Sequence, residues 1–256
     1  MIDIHAHILP GLDDGAKTVE DSMRMIRQAV DAGVEVICAT PHILDNVTPS
    51  LQEKINRSFQ LLRSRVEKNE LKIKLVFGSE IYIRQDLHSL SRFDFFSLNQ
   101  SGKYVLMELP LGHFPPNVDR LAHKLLLEGI TPVIAHPERS IAEESQLKAV
   151  ERLTCLGALM QINAGSLLGH FGRQPEKAAR YLLREDIAHV MASDAHDPGP
   201  RSVAVLRQAF DEACRLVGET KTKELVVYNP SKILSGEGLL REKCASRRGE
   251  LAGEGC

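Results

Sequence analysis

Two histidines one residue apart, His5-Ala6-His7, open the chain, and an acidic pair, Asp13-Asp14-Gly15, follows them. Further along come Thr40-Pro41-His42, Gly78-Ser79-Glu80, Glu108, His136-Pro137-Glu138-Arg139, Asn163 and Ser193-Asp194-Ala195-His196. Extended backbone alternates its side chains with period two, so His-x-His sends both imidazoles to one side. Neutral imidazole combined with carboxylate suits Zn²⁺, Mn²⁺ or Fe²⁺, whereas an all-oxygen set suits Mg²⁺ or Ca²⁺. No cysteine accompanies these motifs, which disfavours a structural zinc cage. About nine candidate ligands exceed the needs of one catalytic ion, which takes about three protein ligands and keeps a position open. Three ions, or two with supporting neighbours, match the count. Clustered divalent ions make water acidic enough to be a nucleophile near neutral pH, and they neutralise an anionic transition state. Arg139 and Arg201 follow two of the motifs, and guanidinium grips phosphate oxygens in pairs. The combination points to a phosphate ester as substrate.

These side chains act together only if the fold gathers them. Short apolar, often β-branched runs recur at Met1 to Ile4, Val34 to Ala39, Ile73 to Phe77, Tyr104 to Met107, Pro132 to Ala135, Ala158 to Ile162 and Ile187 to Ala192. They read as strands covered on both faces. Amphipathic helical stretches separate them. Val19, Met23, Ile26 and Val30 form one stripe, closed by Gly33; Ser50 with Glu53 resembles a capping box ahead of Leu51, Ile55, Leu62 and Val66. Further stripes begin after Asn117, at Leu147 and at Val203, and end at Gly129, Gly157 and Gly218. Seven strand–helix rounds imply parallel pairing with right-handed crossovers. No Gly-x-Gly-x-x-Gly follows any strand, so a dinucleotide-binding open sheet loses to a barrel. In a barrel the C-terminal strand ends share one face, and every motif above follows a strand. His88, His113, His123, His170 and His189 lie elsewhere or in weaker contexts and read as ordinary structural histidines; His170 falls in Gly169-His170-Phe171-Gly172, after the sixth strand.

Composition narrows the function. The chain has 256 residues, and 32 Lys and Arg against 34 Asp and Glu leave a formal net charge of −2, which argues against a nucleic-acid partner. No apolar run approaches the ~20 residues of a membrane span, and the N-terminus lacks a signal-peptide layout, so no membrane insertion and a cytoplasmic location are expected. From about Gly236 the chain turns to Gly and charged residues with no apolar stripe. We expect one catalytic domain over 1–235 and a mobile tail over 236–256.

The string from Met1 to Thr18, with His-Ala-His-Ile-Leu-Pro-Gly-Leu-Asp-Asp-Gly at its heart, resembles the N-terminus of the capsular and exopolysaccharide phosphatases. These are bacterial metal-dependent protein-tyrosine phosphatases of the polymerase-and-histidinol-phosphatase (PHP) class. Ala135-His-Pro-Glu-Arg139, Asn163-Ala-Gly-Ser166, Ser193-Asp-Ala-His196 and Asn229-Pro-Ser-Lys232 resemble later motifs in the same order, over roughly residues 1 to 235. The resemblance implies a distorted (β/α)7 barrel with three divalent ions, usually Mn²⁺. It implies His5, His7, Glu80 and Asp194 on one ion, Glu80, Glu108 and His136 on a second, and Asp14, His42 and His196 on a third, with Arg139 and Arg201 at the phosphate. It implies as partner a tyrosine-phosphorylated protein, in particular a membrane-associated bacterial tyrosine kinase with a tyrosine-rich tail. Two positions depart from the pattern: Ala6 stands where relatives often carry Cys, and Ser140 where they often carry Tyr.

Rival readings make different demands. A cysteine-nucleophile phosphatase needs Arg six positions after its Cys; here Cys38, Cys155, Cys214 and Cys244 are followed at that distance by Leu44, Gln161, Thr220 and Glu250. A small-molecule phosphatase of the same superfold, such as a histidinol phosphatase, would use the same ligands around a smaller pocket. A non-catalytic, metal-stabilised binding module would keep the ligands and hydrolyse no phosphoester.

Overall fold

Among the described residues nine strands, all paired in parallel, carry the strand–helix alternation. They are β1 (Ile2–Ala6), β2 (Val36–Ala39), β3 (His42–Ile43), β4 (Lys74–Phe77), β5 (Glu80–Tyr82), β6 (Tyr104–Glu108), β7 (Thr131–Ala135), β8 (Leu159–Asn163) and β9 (Val190–Ala192). The helices are α1 (Val19–Asp31), α2 (Pro49–Lys68), α3 (Val118–Leu127), α4 (Leu147–Leu156), α5 (Ala164–Leu167), α6 (Arg173–Arg184), α7 (Val205–Val217), α8 (Glu219–Lys223) and α9 (Asn229–Ser235). This computed structural model describes residues 1–44, 47–84 and 87–239, so most of the expected tail lies outside the described residues. Among those residues, no helix is long and apolar enough to cross a membrane.

Two of the expected strands, found as β2 and β4, are each followed after a short break by a further strand, so His42 and Glu80, expected to follow strands, lie in β3 and β5. Pro41 interrupts β2 before β3, and Gly78-Ser79 interrupts β4 before β5. The result is one sheet in the order β1-β2-β4 and another in the order β3-β5-β6-β7-β8-β9. The ladder steps at the break rather than ending: Thr40 N donates to Ala6 O at 3.0 Å, Gly78 N to Ala39 O at 3.0 Å and Glu80 N to Pro41 O at 3.1 Å. At the far side, Ala6 bridges Ala195 in parallel, with His7 N donating to Ala195 O at 2.8 Å and Asp194 N to His5 O at 2.9 Å. The two sheets thus meet at both edges, and the single domain is a distorted barrel.

The core divides as this geometry requires. Ile4, Cys38, Val76, Leu106, Val133, Leu159 and Val190, one or more from most strands, form a single buried cluster inside the array. Leu98 and, from α9, Ile233 and Leu234 join that cluster. The alternate strand residues, Ile37, Phe77, Met107, Ile134, Met160 and Met191, belong to the outer core with Ile26, Leu62, Leu125, Leu153, Leu182 and Leu206 of the helices. Burial on both faces is what turns parallel strands into continuous apolar runs.

Local signals mark the helix ends. Thr18 and Asp21 form a capping box at α1. For α2 the cap is Thr48, whose hydroxyl accepts from Leu51 N, with Pro49 at the first helical position. The helix therefore begins ahead of the Ser50–Glu53 pair, because a proline pre-set to helical φ is favoured there.

Candidate metal centre

The first two imidazoles owe their direction to an irregularity in β1. Ile2 and Ile4 face the inner cluster, so strict alternation would send Ala6 inward. The β1–β2 register instead shifts between Asp3 and Ala6. Beyond the shift Ala6 and Ile8 join the outer core, and His5 and His7 turn to the centre. Asp3 holds the irregularity: its Oδ1 accepts from His5 N at 3.3 Å and Ser193 N at 3.1 Å. At two other strand ends the backbone enters the left-handed region, at His136 (φ 30°) and Asp194 (φ 51°). Non-glycine residues rarely occupy that region, and such strain gathers at functional sites. Gly15 lets the Asp13-Asp14 loop close over β1, since a Cβ there would lie 2.3 Å from His7 O and 2.5 Å from His7 Cβ.

All nine sequence-predicted ligands converge. Glu80, fully buried, is the hub: its Oε2 lies 3.1 Å from His5 Nε2, 3.2 Å from His7 Nε2 and 3.0 Å from His42 Nδ1, and its Oε1 lies 3.0 Å from His136 Nε2. Glu108 reaches to 3.5 Å from His42 and 3.9 Å from His136. Asp14 Oδ1 lies 3.5 Å from His42 Nε2 and 3.3 Å from His196 Nε2. Asp194 Oδ1 lies 3.5 Å from both His5 Nε2 and His7 Nε2. Three sets have ligand atoms mutually within 4.8 Å: His5, Glu80, His136 and Asp194; His42, Glu80 and Glu108; and His7, Asp14, His42 and His196. The sets differ from the implied partition in putting His136 with His5 and His7 with Asp14.

The donors fit cations rather than one another. His5 Nδ1 donates to Gln161 Oε1 at 2.8 Å, an orientation fixed because Gln161 Nε2 donates to Ile162 O. His7 Nδ1 donates to Asp13 Oδ2 at 2.8 Å. Both rings therefore turn Nε2 inward, and those two nitrogens face each other at 3.1 Å. Glu80 Oε2 and His42 Nδ1 are buried without a hydrogen bond. Unsatisfied buried polar atoms are costly and rare, and oriented imidazoles backed by carboxylate or amide are the usual surroundings of a metal. The residues present therefore fit divalent ions.

Electrostatics agree with the geometry. Burial opposes charge on His5 and His7, but Glu80, Asp194 and, for His7, Asp13 outweigh it and raise both pKa values. Burial likewise works against the Glu80 and Asp194 carboxylates, yet the imidazoles hold both well below the ordinary range. Glu108 is pushed up to about 7 by burial and by Glu80, and His196 down to about 3 by burial and by His7. Groups whose environments drive their pKa values apart cluster at functional sites.

Arg139 Nη1 and Arg201 Nη2 each donate to Asp194 Oδ2 at 2.9 Å. Asn163 Nδ2 donates to the same oxygen at 2.7 Å. Both guanidiniums remain partly exposed, at 15% and 29%, and so keep donors for an incoming anion. Several contributors go unread in the sequence. Asp13 passes for a turn residue, yet its Oδ2 accepts from both His7 Nδ1 and His42 N. Gln161 lies two residues before Asn163 on β8, on the same face by the period of two, which is the signal that could have found it. Glu138 lies within its motif but turns away to accept from Asn163 N at 2.9 Å.

A parallel α/β barrel whose C-terminal strand ends pack imidazoles against carboxylates defines a class, that of barrels with a candidate divalent-cation centre at that face. The family model for capsular polysaccharide synthesis, CpsB/CapC, matches residues 1–235. The chain belongs to that family. It is 37% identical to the tyrosine-protein phosphatase YwqE of Bacillus subtilis (strain 168) over 79% of this chain and 80% of the relative. It is 35% identical to the tyrosine-protein phosphatase CpsB of Streptococcus pneumoniae over 91% of this chain and 98% of the relative. A solved structure described with YwqE from Bacillus subtilis and CpsB from Streptococcus pneumoniae, as unique metal-dependent tyrosine phosphatases, superposes with a TM-score of 0.86 at 33% identity. It covers 94% of this chain and 97% of that one.

Proposed function

We propose that this protein is a cytoplasmic, metal-dependent protein-tyrosine phosphatase that removes phosphate from phosphotyrosine in protein. We include as its partner a membrane-associated bacterial tyrosine kinase controlling capsule or exopolysaccharide synthesis. The observation that carries the reading is the junction at Asp194. One oxygen faces His5 and His7, while the other accepts from Arg139 and Arg201. A cation centre and an anion clamp thus share one carboxylate. Similarity to YwqE and CpsB over most of both chains supports the choice of phosphotyrosine.

The nine residues His5, His7, Asp14, His42, Glu80, Glu108, His136, Asp194 and His196 would hold the ions, three Mn²⁺ in this reading. Bound there, divalent ions acidify water and neutralise phosphoryl charge. Arg139 and Arg201 bind the non-bridging oxygens and orient phosphorus toward the ligand cluster. Gln161 and Asp13 hold the His5 and His7 rings so that each Nε2 faces inward. A phenol leaves with a pKa of ~10, lower than an alkyl alcohol, so it asks less of a proton donor.

The decisive experiment follows release of phosphate from a phosphotyrosyl peptide, a phosphoseryl peptide and histidinol phosphate. It compares purified protein, chelated protein and chelated protein with Mn²⁺ restored. Hydrolysis should be confined to, or strongly favour, phosphotyrosine, vanish on chelation and return with Mn²⁺. Activity that survives complete metal removal, or that favours histidinol phosphate, refutes the reading.

A further inference from the structure

The segment Gly169-His170-Phe171-Gly172 contains none of the nine candidate ligands, yet its aromatic ring lies against both arginines. Arg139 Cζ sits 4.3 Å and Arg201 Cζ 5.9 Å from the centroid of the Phe171 ring. The other cation–aromatic contacts among the described residues join close sequence neighbours, Arg92 with Phe93 and Arg207 with Phe210. The contact at Phe171 instead gathers three separate loops.

We propose that Phe171 is the positioning residue of the phosphate clamp, an aromatic bed that holds the Arg139 and Arg201 guanidiniums side by side with their outer donors turned to a phosphate dianion. The inference rests on the phosphatase reading above, which makes the two arginines the clamp. Both guanidiniums donate to one oxygen, Asp194 Oδ2, so two like charges are held close together. The negative face of an aromatic ring offsets part of that repulsion. Arg201 needs such help, because its Nε is buried without a hydrogen-bond partner. Among the described residues, its plane is held by the tip nitrogens, which meet Asp194 and Asp14, and by the ring.

The loop is built to seat the ring. Gly169 and Gly172 bracket it at φ 80° and 94°, conformations that glycine takes without steric cost. His170 N donates to Gly165 O at 2.9 Å, and Gly172 N to Gly169 O at 3.1 Å. The ring edge packs where a Cβ on Gly165 would be, 2.8 Å from Phe171 Cε2. Gly165 N in turn donates to Asn163 Oδ1, and Asn163 grips Asp194. Ring, arginines and shared carboxylate thus form one closed unit. The ring can keep the guanidiniums aligned when a substrate oxygen competes with Asp194 for their donors.

The test compares Phe171→Leu, which keeps apolar bulk but loses the aromatic face, with Phe171→Tyr, which keeps it. The full-length Mn²⁺-loaded protein is titrated with inorganic phosphate by calorimetry, and KM and kcat are measured on a phosphotyrosyl peptide. Metal content and melting temperature are recorded for each variant. Phe171→Leu should weaken phosphate binding and raise KM by about tenfold with a smaller change in kcat, while metal content holds and Phe171→Tyr stays within about twofold of the parent. The proposal is overturned if Phe171→Leu binds phosphate as the parent does. It is equally overturned if Phe171→Tyr weakens binding as much as Leu, or if the loss only follows a loss of metal or of fold. A parent protein that binds phosphate with this dependence but hydrolyses no phosphotyrosine would sink the functional reading and leave the clamp standing.

Discussion

Glu80 Oε2 has three imidazole nitrogens around it and no hydrogen bond, and that single atom captures how the centre works. Without cations the cluster answers its excess negative charge by protonation, since the pKa values of His5 and His7 are both raised. A histidine with a raised folded pKa stabilises the fold below its unfolded value of about 6.5, and that contribution is lost as pH climbs through the folded value. Two outcomes follow for the metal-free protein. Loading Mn²⁺ near neutral pH should expel protons, measurable as a buffer-dependent calorimetric enthalpy. The apparent affinity should therefore rise as pH is raised from below the folded pKa values of His5 and His7, about tenfold per pH unit for each proton expelled. His196, pushed down to about 3 by burial and His7, is already neutral and adds nothing to that count. The supporting residues should matter nearly as much as the ligands. Gln161→Leu or Asp13→Asn should cost about 10- to 100-fold in Mn²⁺ affinity by equilibrium dialysis, because the freed ring no longer holds Nε2 inward.

At the scale of elements, the loop from β1 to α1 does the most delicate positioning. Gly15→Ala would drive a methyl group into the His7 backbone, so the loop must lift and carry Asp13 and Asp14 with it. Elemental analysis of that variant should show metal depleted well below the parent protein. Thr18→Ala, a few residues on, makes the contrast. It removes the hydroxyl that caps α1 by accepting from Asp21 N, which should cost about 1 kcal/mol in urea unfolding and leave metal content unchanged. The seven longer apolar runs were legible as strands because they are covered on both faces, whereas the short β3 and β5 were not. The breaks at Pro41 and Gly78-Ser79 were visible as residue types, but not the change of sheet they cause. Helix α6 escaped notice because half of its buried face is Ala178 and Ala179, too small to stand out as a stripe.

For the whole molecule, the inner cluster joins opposite sides of the barrel beneath the site. Leu106 on β6 is fully buried there with Ile4, Cys38, Val133 and Leu159. Leu106→Ala should cost about 3 kcal/mol in urea unfolding of the metal-loaded protein, the usual range for a cavity left in a rigid core. A much smaller loss would mean that the interior collapses around the gap and is looser than its burial suggests.

The candidate ligand residues, and the strand ends from which they project, could be read in the chain. Parallel strand–helix repeats force every strand to finish on the same face, so acids and imidazoles placed just after the strands have to meet. The spacing could not say which nitrogen faces inward, which oxygen is shared, or that an aromatic ring lies beside the arginines. The shifted register in β1, the left-handed backbone at His136 and Asp194, and the contact of three distant loops at Phe171 settle those points. They depend on how strands pack against neighbours far away in sequence, and no local pattern of residue types encodes such packing.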